Sequence, residues 1–400
     1  MSLVRYRIDG IDFSMASEEE IINASVLQVT EPNLYSKGIP NANACNDLRL
    51  GTVDRRFRCA TCRHSSQVCM GHNGHIKLGF PVYHWLCFDK IMKVLRCVCF
   101  WCSSSIIDPK NPDIIRRFSN IRKKNNLPAS ISAYCKKKTC YKCGGVQPSY
   151  EKEGLSIMAK WNMEDLNEDE QKEAGKRFNA KIARDILKFI SDEDCRFLGF
   201  DPTKTRPENM VLSVLLVPSV IIRPTTMISE GSRTKGHDDV TTLLRDIVKY
   251  SNMVAEKIKE DPDTLPEKEY EQLVVHLMTY MDKDGGATTA TMSLGGTGAS
   301  RQTRRHITRS GPVKTVPKRL GGKKGRFRGS IVGKRGDFTS RSVITPEPWI
   351  DIWQLIVPKL VARTQTVPEP VTSFNINYLR SLVIRGDHPD GLGAHHVVRP

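Results

Sequence analysis

The sequence predicts a multidomain α+β chain that combines cysteine knuckles, a helical hairpin and an irregular basic segment. Three observations predict it. The 400 residues, 39% of them hydrophobic, suffice for two to four cored domains. Three Cys-x-x-Cys units stand among the 12 cysteines. The net charge of +17 is local: 14 Lys and Arg lie between Arg301 and Arg341 against the single acid Asp337, which leaves +4 for the other 359 residues.

Such a balance selects a polyanionic partner, either a nucleic acid or an anionic membrane. The membrane fits poorly. The longest apolar run, Val211 to Ile222, is interrupted by Pro218, and a span needs ~20 apolar residues. The opening Met1-Ser-Leu-Val-Arg-Tyr-Arg has no apolar signal core, so an intracellular location is expected. There, paired cysteines serve metal rather than disulfides.

The elements follow in order. To about Asn46 the chain reads as a strand and then a short helix, opened by Ser17 and the acidic box Glu18-Glu19-Glu20. A cysteine-rich region runs from Cys59 to Cys143, and inside it the apolar run Tyr83 to Val94 is helix-compatible. Met163 to Leu198 reads as mostly helical, with Phe178, Ile182, Ile186 and Ile190 recurring opposite a charged side. Leu212 to Pro224 has prolines at its centre and end, and should pack as an extended segment. Asp238-Asp239 then opens a helix with Val240, Leu243, Leu244, Ile247, Val248 and Val254 at helical spacing. Leu273, Val274, Leu277, Met278 and Met281 give a second one. Pro262 and Pro266 separate the two, which predicts an antiparallel hairpin. Gly285 to Ala299 is a Gly/Thr/Ser-rich loop, the basic strip follows, and Thr345 to Pro400 is a proline-rich tail with short apolar runs.

Cys59-x2-Cys62-x6-Cys69-x2-His72 has the spacing of a tetrahedral zinc site. Gly71 and Gly74 let its second turn close tightly. His64 and His75 are rival ligands, but neither stands at knuckle spacing to Cys69. Cys99-x2-Cys102 and Cys140-x2-Cys143 make a second site of zinc-ribbon type, its halves separated by 37 residues. Cys97 and Cys135 flank that site and read as buried thiols, as do Cys45, Cys87 and Cys195. Buried thiols without metal are the bland alternative for both sites. Four protein ligands leave no open position, so the expected role is structural rather than hydrolytic. The segments between the ligands read as too short and polar to fold alone, which turns metal binding into folding energy.

From Pro317 to Ser342, Lys and Arg alternate with Gly321, Gly322, Gly325, Gly329, Gly333 and Gly336. Glycine lets a backbone approach phosphate closely, and Arg and Lys bring charge and forked donors. Lys323, Lys324, Arg326, Arg328, Lys334, Arg335 and Arg341 are the candidate phosphate contacts. Only Phe327 and Phe338 are aromatic, which favours tracking a sugar–phosphate backbone over stacking bases. A basic tail or nuclear localisation run is the bland reading; the apolar Leu320, Ile331, Val332 and Val343 argue instead for packing. Gly333-Lys334 imitates the end of a P-loop, but Arg328 stands at the first glycine position and Arg335 where Ser or Thr is required.

In combination these motifs resemble the N-terminal, clamp portion of the largest subunit of eukaryotic-type multisubunit DNA-dependent RNA polymerases. Arg49-Leu-Gly-Thr-Val-Asp-Arg55, followed by the Cys59 to His72 set, is similar to the clamp-core zinc motif. Cys97-Val-Cys99-x-x-Cys102 and Cys140-x-x-Cys143-Gly-Gly-Val-Gln-Pro148 resemble the halves of the second clamp zinc site. Val217-Pro218 to Ile222-Arg-Pro224, then Asp238-Asp239, resembles the dock and lid region, and Tyr280-Met-Asp-Lys-Asp284 the end of the clamp helices. Ser310-Gly-Pro-Val-Lys314 through Arg341-Ser-Val-Ile344 is similar to the rudder exit and the switch segment that grips template DNA, and Asn375-Ile-Asn-Tyr-Leu379 is a further landmark.

The resemblance implies a clamp core with two zinc sites over 1–162 and clamp helices over 163–284, with a dock/lid-like segment at 212–239. It implies a rudder-like loop and basic switch over 285–345 and the start of an active-site-proximal domain over 346–400. Gly285 to Arg309 is richer in Gly, Thr and Arg than the family's rudder. The cofactors implied are Zn2+ at two structural sites and Mg2+ at the active site of the complex, not bound by this chain. The family's Asp-Phe-Asp-Gly-Asp loop has no counterpart here, since Asp337-Phe338 runs on into Thr-Ser-Arg. That loop is expected beyond Pro400, on a continuation of the chain or on another polypeptide. Implied partners are the second-largest subunit, the smaller subunits, the remaining part of the largest subunit, template DNA, the RNA–DNA hybrid, and initiation or elongation factors. No membrane is among them. The resemblance implies an intracellular location, the nucleus, or, if the divergent texture reflects a large DNA virus of eukaryotes, the virion and cytoplasmic viral factory. A free-standing zinc-ribbon transcription factor would need a helix that reads bases, and a zinc hydrolase would need an open ligand position with a general base; neither is evident.

Overall fold

One long strand organises most of the chain, in a computed structural model that describes residues 9–10, 14–119, 121, 126–135, 139–162, 171, 177–227, 235–262, 264–281, 313–386 and 393–398. The chain divides into two units, Met1–Gly321 and Gly322–Pro400. In the first, α1 (Glu18–Asn23) leads into β1 (Ser25–Gln28), a small pair β2 (Tyr35–Ser36) and β3 (Ile39–Pro40), and then the organising strand β4 (Asn73–Tyr83). The acidic box works as expected: Glu20 N donates to Ser17 Oγ at 3.2 Å while Ser17 N donates to the Glu20 carboxylate at 2.8 Å. Glu18 accepts from Ser213 Oγ at 2.8 Å and from Arg184 at 2.5 Å, which ties the helix to later parts of the fold. A strand ahead of this helix would fall largely on residues outside the description; β1 follows the helix instead.

After β4 come α2 (Phe88–Leu95), α3 (Pro112–Ser119), α4 (Leu127–Tyr134), the hairpin β5 (Ser149–Glu153) and β6 (Ser156–Lys160), α5 (Ala180–Lys188), α6 (Asp192–Phe197) and β7 (Val211–Val217). The sheet has the order β1-β4-β7. β1 runs parallel to β4, and β7 antiparallel to it, pairing Gly74 with Val217 through Lys77 with Val214, and then Val82 with Leu212 and Tyr83 with Val211. The expected helical run from Tyr83 therefore starts later. Tyr83 ends the strand, Trp85–Cys87 is a 3-10 turn, and only α2 is α-helical; short apolar runs fit either periodicity. Within Met163 to Leu198, α5 and α6 are helical, whereas 163–170 and 172–176 lie outside the described residues. Leu212 to Pro224 is extended, as its prolines require, and closes in a 3-10 turn at Val220–Ile222.

The register break between Lys77 and Val82 falls on Leu78-Gly79-Phe80-Pro81. Proline cannot donate to a ladder, so a bulge is where it can sit. Its carbonyl accepts from Tyr270 Oη at 3.0 Å. The bulge also pushes Gly79 against α7 (Asp239–Glu260), where Gly79 N donates to Ser251 Oγ at 2.9 Å. A Cβ there would lie 2.4 Å from the Ser251 carbonyl oxygen and 2.8 Å from Ala255 N. Gly79→Ala is expected to destabilise the unit by about 1–3 kcal/mol through overpacking. A lowered urea midpoint at unchanged slope would register it.

Val82 and Tyr83 are neighbours on the strand, so they point to opposite faces, and they enter different cores. One core collects Phe88, Ile91, Ile131, Ile186 and Leu187 from α2, α4 and α5; the other joins Ile76, Leu215 and Val217 to the hairpin of α7 and α8 (Glu267–Met281). Asp238 caps α7 by accepting from Val240 N at 2.9 Å. Val240, Leu244, Ile247 and Val248 meet Leu273, Val274, Leu277 and Met278 in the hairpin core. Pro262 and Pro266 lie in its turn, and Lys257 Nζ reaches Glu269 at 2.6 Å beside it.

The first unit ends in α9 (Val316–Leu320). The second holds a π-helical turn at Phe327–Val332, α10 (Lys359–Thr364) and α11 (Ile376–Arg385). It leaves Trp349, Ile352 and Phe374 exposed at 91%, 97% and 98%. Among the described residues no helix is long and apolar enough to cross a membrane.

Candidate metal centres and nucleic-acid interface

Three knuckles share one backbone pattern. In each, the first cysteine's carbonyl accepts from the amide four residues on, and its own amide donates to the carbonyl five residues on. Cys59 does this with Arg63 N (2.8 Å) and His64 O (3.0 Å), Cys99 with Ser103 N (3.1 Å) and Ser104 O (2.8 Å), and Cys140 with Gly144 N (2.9 Å) and Gly145 O (3.1 Å). The turn needs a left-handed residue at its end: Arg63, Ser103 and Gly144 have φ of 61°, 55° and 71°. Such a turn aims both sulfurs of a Cys-x-x-Cys unit at one point.

The fourth knuckle brings Cys69 and His72 in, with Cys69 Sγ 3.9 Å from His72 Nε2. Gly71 permits it. Its φ is +84°, and a Cβ there would lie 2.6 Å from the side chain of Ser219. The site is seated on the turn Leu48–Leu50, since Ala60 N donates to Leu48 O at 3.1 Å and His72 N to Leu50 O at 3.2 Å. The ligand atoms of Cys59, Cys62, Cys69 and His72 all lie within 4.8 Å of one another, and so do those of Cys99, Cys102, Cys140 and Cys143. In the second group Cys99 Sγ is 3.5 Å from Cys143 Sγ and Cys102 Sγ 3.7 Å from Cys140 Sγ.

Both donor sets suit a soft tetrahedral ion, and several sulfurs accept hydrogen bonds that favour a thiolate, against the burial that disfavours it. Gly71 N donates to Cys69 Sγ at 3.4 Å, and Gln147 Nε2 to Cys99 Sγ at 3.2 Å. Gln147 is itself held by Phe100 N at 2.9 Å and by the Gly145 carbonyl at 2.8 Å, an outer shell that orients the ligand loops. Burial raises Cys102, but the Ser104 amide and hydroxyl and the Cys99 and Cys140 thiols outweigh it and bring the group to about 7. Burial pushes Cys69 up to about 11, with the Cys62 and Cys59 thiols adding to the rise.

The rival histidines stand elsewhere. His75 is buried in β4 with Nδ1 on Ser25 Oγ, and His64 belongs to neither group. Cys97 is a packing thiol whose Sγ reaches the carbonyls of Lys93 at 3.0 Å and Pro128 at 3.3 Å. The segment between the halves of the second site does not pack alone: Ile106, Ile107, Ile114, Phe118 and Ile131 enter the first core together with residues from outside it.

Lys323, Lys324, Arg326, Arg328, Lys334, Arg335 and Arg341 are all exposed. Gly325 N donates to Gly322 O at 3.2 Å and Gly329 N to Gly325 O at 2.7 Å, so the ribbon is turned rather than extended. Contrary to expectation, Leu320, Ile331, Val332 and Val343 do not pack inward; they are 39%, 60%, 83% and 88% exposed. The order of the segment comes from its turns instead. The Gly285 to Ala299 loop lies outside the described residues.

Two arginines carry roles that composition hid. Arg223 is fully buried, with Nε on the Pro218 carbonyl at 3.1 Å, Nη1 on Asn46 at 3.0 Å and on Thr241 at 3.2 Å, and Nη2 on the Cys45 carbonyl. Arg319 pairs with Asp238. An apolar neighbourhood around Arg223 was the one available sequence signal.

Residues 5–331 match the family model described as RNA polymerase Rpb1, domain 1, and residues 333–398 match RNA polymerase Rpb1, domain 2. A curated relative, the DNA-directed RNA polymerase II subunit RPB1 of Euplotoides octocarinatus, is 34% identical over 395 residues, which covers 95% of this chain and 78% of the relative.

Proposed function

Because the chain belongs to the Rpb1 family of RNA polymerase largest subunits, we propose that it is the clamp part of a DNA-directed RNA polymerase and holds template DNA and the RNA–DNA hybrid during transcription. In this reading residues 1–162 are the clamp core, 163–284 the clamp helices with a dock/lid-like segment at 212–239, 285–345 the rudder-like loop and switch, and 346–400 the start of the active-site-proximal domain. Zinc is held by Cys59, Cys62, Cys69 and His72, and by Cys99, Cys102, Cys140 and Cys143. It supplies rigidity and no reaction step, because each set already offers four protein donors. The magnesium that serves nucleotide addition belongs to carboxylates outside this chain.

The observation that carries the reading is the ribbon. Seven exposed cations stand on a glycine-turned backbone, and no described carboxylate pairs with them. Lys323, Lys324, Arg326, Arg328, Lys334, Arg335 and Arg341 neutralise phosphates there, which gives grip without choice of sequence. Partners are the second-largest and smaller subunits, the rest of the largest subunit, and transcription factors that meet the helical hairpin. The reading places the chain where DNA is transcribed: in the nucleus, or in the virion and cytoplasmic factory of a virus.

The test is salt dependence. Lys323, Lys324, Arg326 and Arg328 are changed to Glu together, and the zinc-loaded chain is titrated with a fluorescein-labelled duplex at several salt concentrations. Affinity is expected to fall, and the slope of log K against log salt to flatten by about one unit for each phosphate no longer neutralised. An unchanged slope would show that the ribbon faces something other than nucleic acid.

A further inference from the structure

Arg319 lies inside the basic strip by sequence but behaves unlike its neighbours. Its Nη2 reaches both oxygens of Asp238 at 2.7 Å, its Nη1 the Ile222 carbonyl at 2.9 Å and its Nε the Lys314 carbonyl at 3.2 Å. A guanidinium has five N–H donors in a fixed fork, and these bonds use nearly all of that capacity. Little remains for a phosphate. Asp238 is meanwhile the cap of α7, and its neighbour Asp239 accepts from Lys314 N at 2.9 Å. Two successive carboxylates at the base of the helical hairpin thus hold both ends of the short segment Lys314 to Arg319.

The same spot is braced from beneath. The turn Val220–Ile222, whose last carbonyl Arg319 grips, continues into Arg223, which bonds Thr241 in the first turn of α7. Ser219, at the start of that turn, is the residue against which Gly71 of the first metal knuckle is pressed. Knuckle, turn, hairpin base and strip root touch one another in succession. After Arg319 come Leu320, Gly321 and Gly322, and then the first exposed cation, Lys323.

We infer that Arg319 is a positioning residue: through Asp238 it anchors the root of the basic strip on the base of the hairpin, and so fixes where the phosphate-gripping ribbon begins. The inference rests on the proposed nucleic-acid role of the strip. It makes an unusual demand on sign. Removing an acid beside a cationic strip should, by charge alone, tighten binding to DNA. If Asp238 anchors the strip, removing its charge weakens binding instead.

The experiment uses Asp238→Asn, which keeps a capable helix cap, and Arg319→Lys, which keeps the charge but loses the fork. Each is made in the full zinc-loaded chain and titrated with the labelled duplex beside the four-residue reversal. Both variants are expected to bind on the order of tenfold more weakly, the scale of a missing charge-assisted bond, with the salt slope unchanged. Amide exchange over 314–320 should speed up while the zinc content and the α8 amides stay as they were. Tighter or unchanged binding by Asp238→Asn, with the reversal still flattening the slope, overturns the anchor and leaves the strip's role standing. A reversal with no effect on slope removes that role, and the anchor's purpose with it.

Discussion

Chelation is expected to release two zinc ions per chain and to unfold the larger unit. Zinc bound to four protein donors contributes about 10–16 kcal/mol of apparent free energy per site. A whole domain is stable by only about 5–15 kcal/mol, so either site is as large as the margin itself. The second site joins residues 99–102 to 140–143 across the helices that fill the first core, and its loss would free α3 and α4 to leave that core. The first site seats Gly71 against Ser219, next to the hairpin base. Metal analysis of purified chain, repeated on Cys99→Ser and Cys59→Ser, measures the stoichiometry. Far- and near-UV circular dichroism during chelation measures the fold. One ion per chain in the unaltered protein, or native dichroism after both are removed, would refute the assignment.

Arg223→Met is expected to cost about 3–5 kcal/mol, since each buried acceptor left without a donor costs about 1–3 kcal/mol and several are left at once. Arg223 is 0% exposed. Burial pulls its guanidinium below the ordinary arginine value, while the nearby Asp238 carboxylate acts in the opposite direction. Arginine's ordinary value lies so far above neutrality that the group remains a cation. Its bonds to the Pro218 and Cys45 carbonyls, Asn46 and Thr241 tie three separate segments together. Methionine replaces the aliphatic stem only and leaves all four acceptors buried without a donor. Lysine restores charge without the fork, and should recover only part of the loss. Urea unfolding of both variants would measure this. A change below about 1 kcal/mol for Arg223→Met would mean that water serves those acceptors equally well.

The parts legible in the sequence were those whose partners lie close along the chain. The candidate metal ligands come in pairs with two residues between them, so spacing formed the pairs, and the join of Cys99-Cys102 to Cys140-Cys143 rested on the zinc-ribbon pattern. The hairpin announced itself through periodic apolar residues and two prolines. The organising strand was hidden for a physical reason. Asn73–Tyr83 contains Gly74, Gly79 and Pro81, which argue against a strand unless a bulge accommodates them. Its partner β7 lies more than a hundred residues away, and no local pattern reports such a pairing. Arg223 and Arg319 were illegible for a different reason. In a chain with 61 Lys and Arg, an arginine that neutralises phosphate and one that stitches a turn look the same until burial separates them.

The three matching knuckles have a consequence for how the sites lose and regain their ion. Only one of them, at Gly144, ends in the residue that enters left-handed backbone freely; Arg63 and Ser103 are held there against preference, at about 1 kcal/mol each. A bound ion would offset that strain, so a vacated site is expected to let these two turns relax toward ordinary backbone, and reloading would have to wind them again.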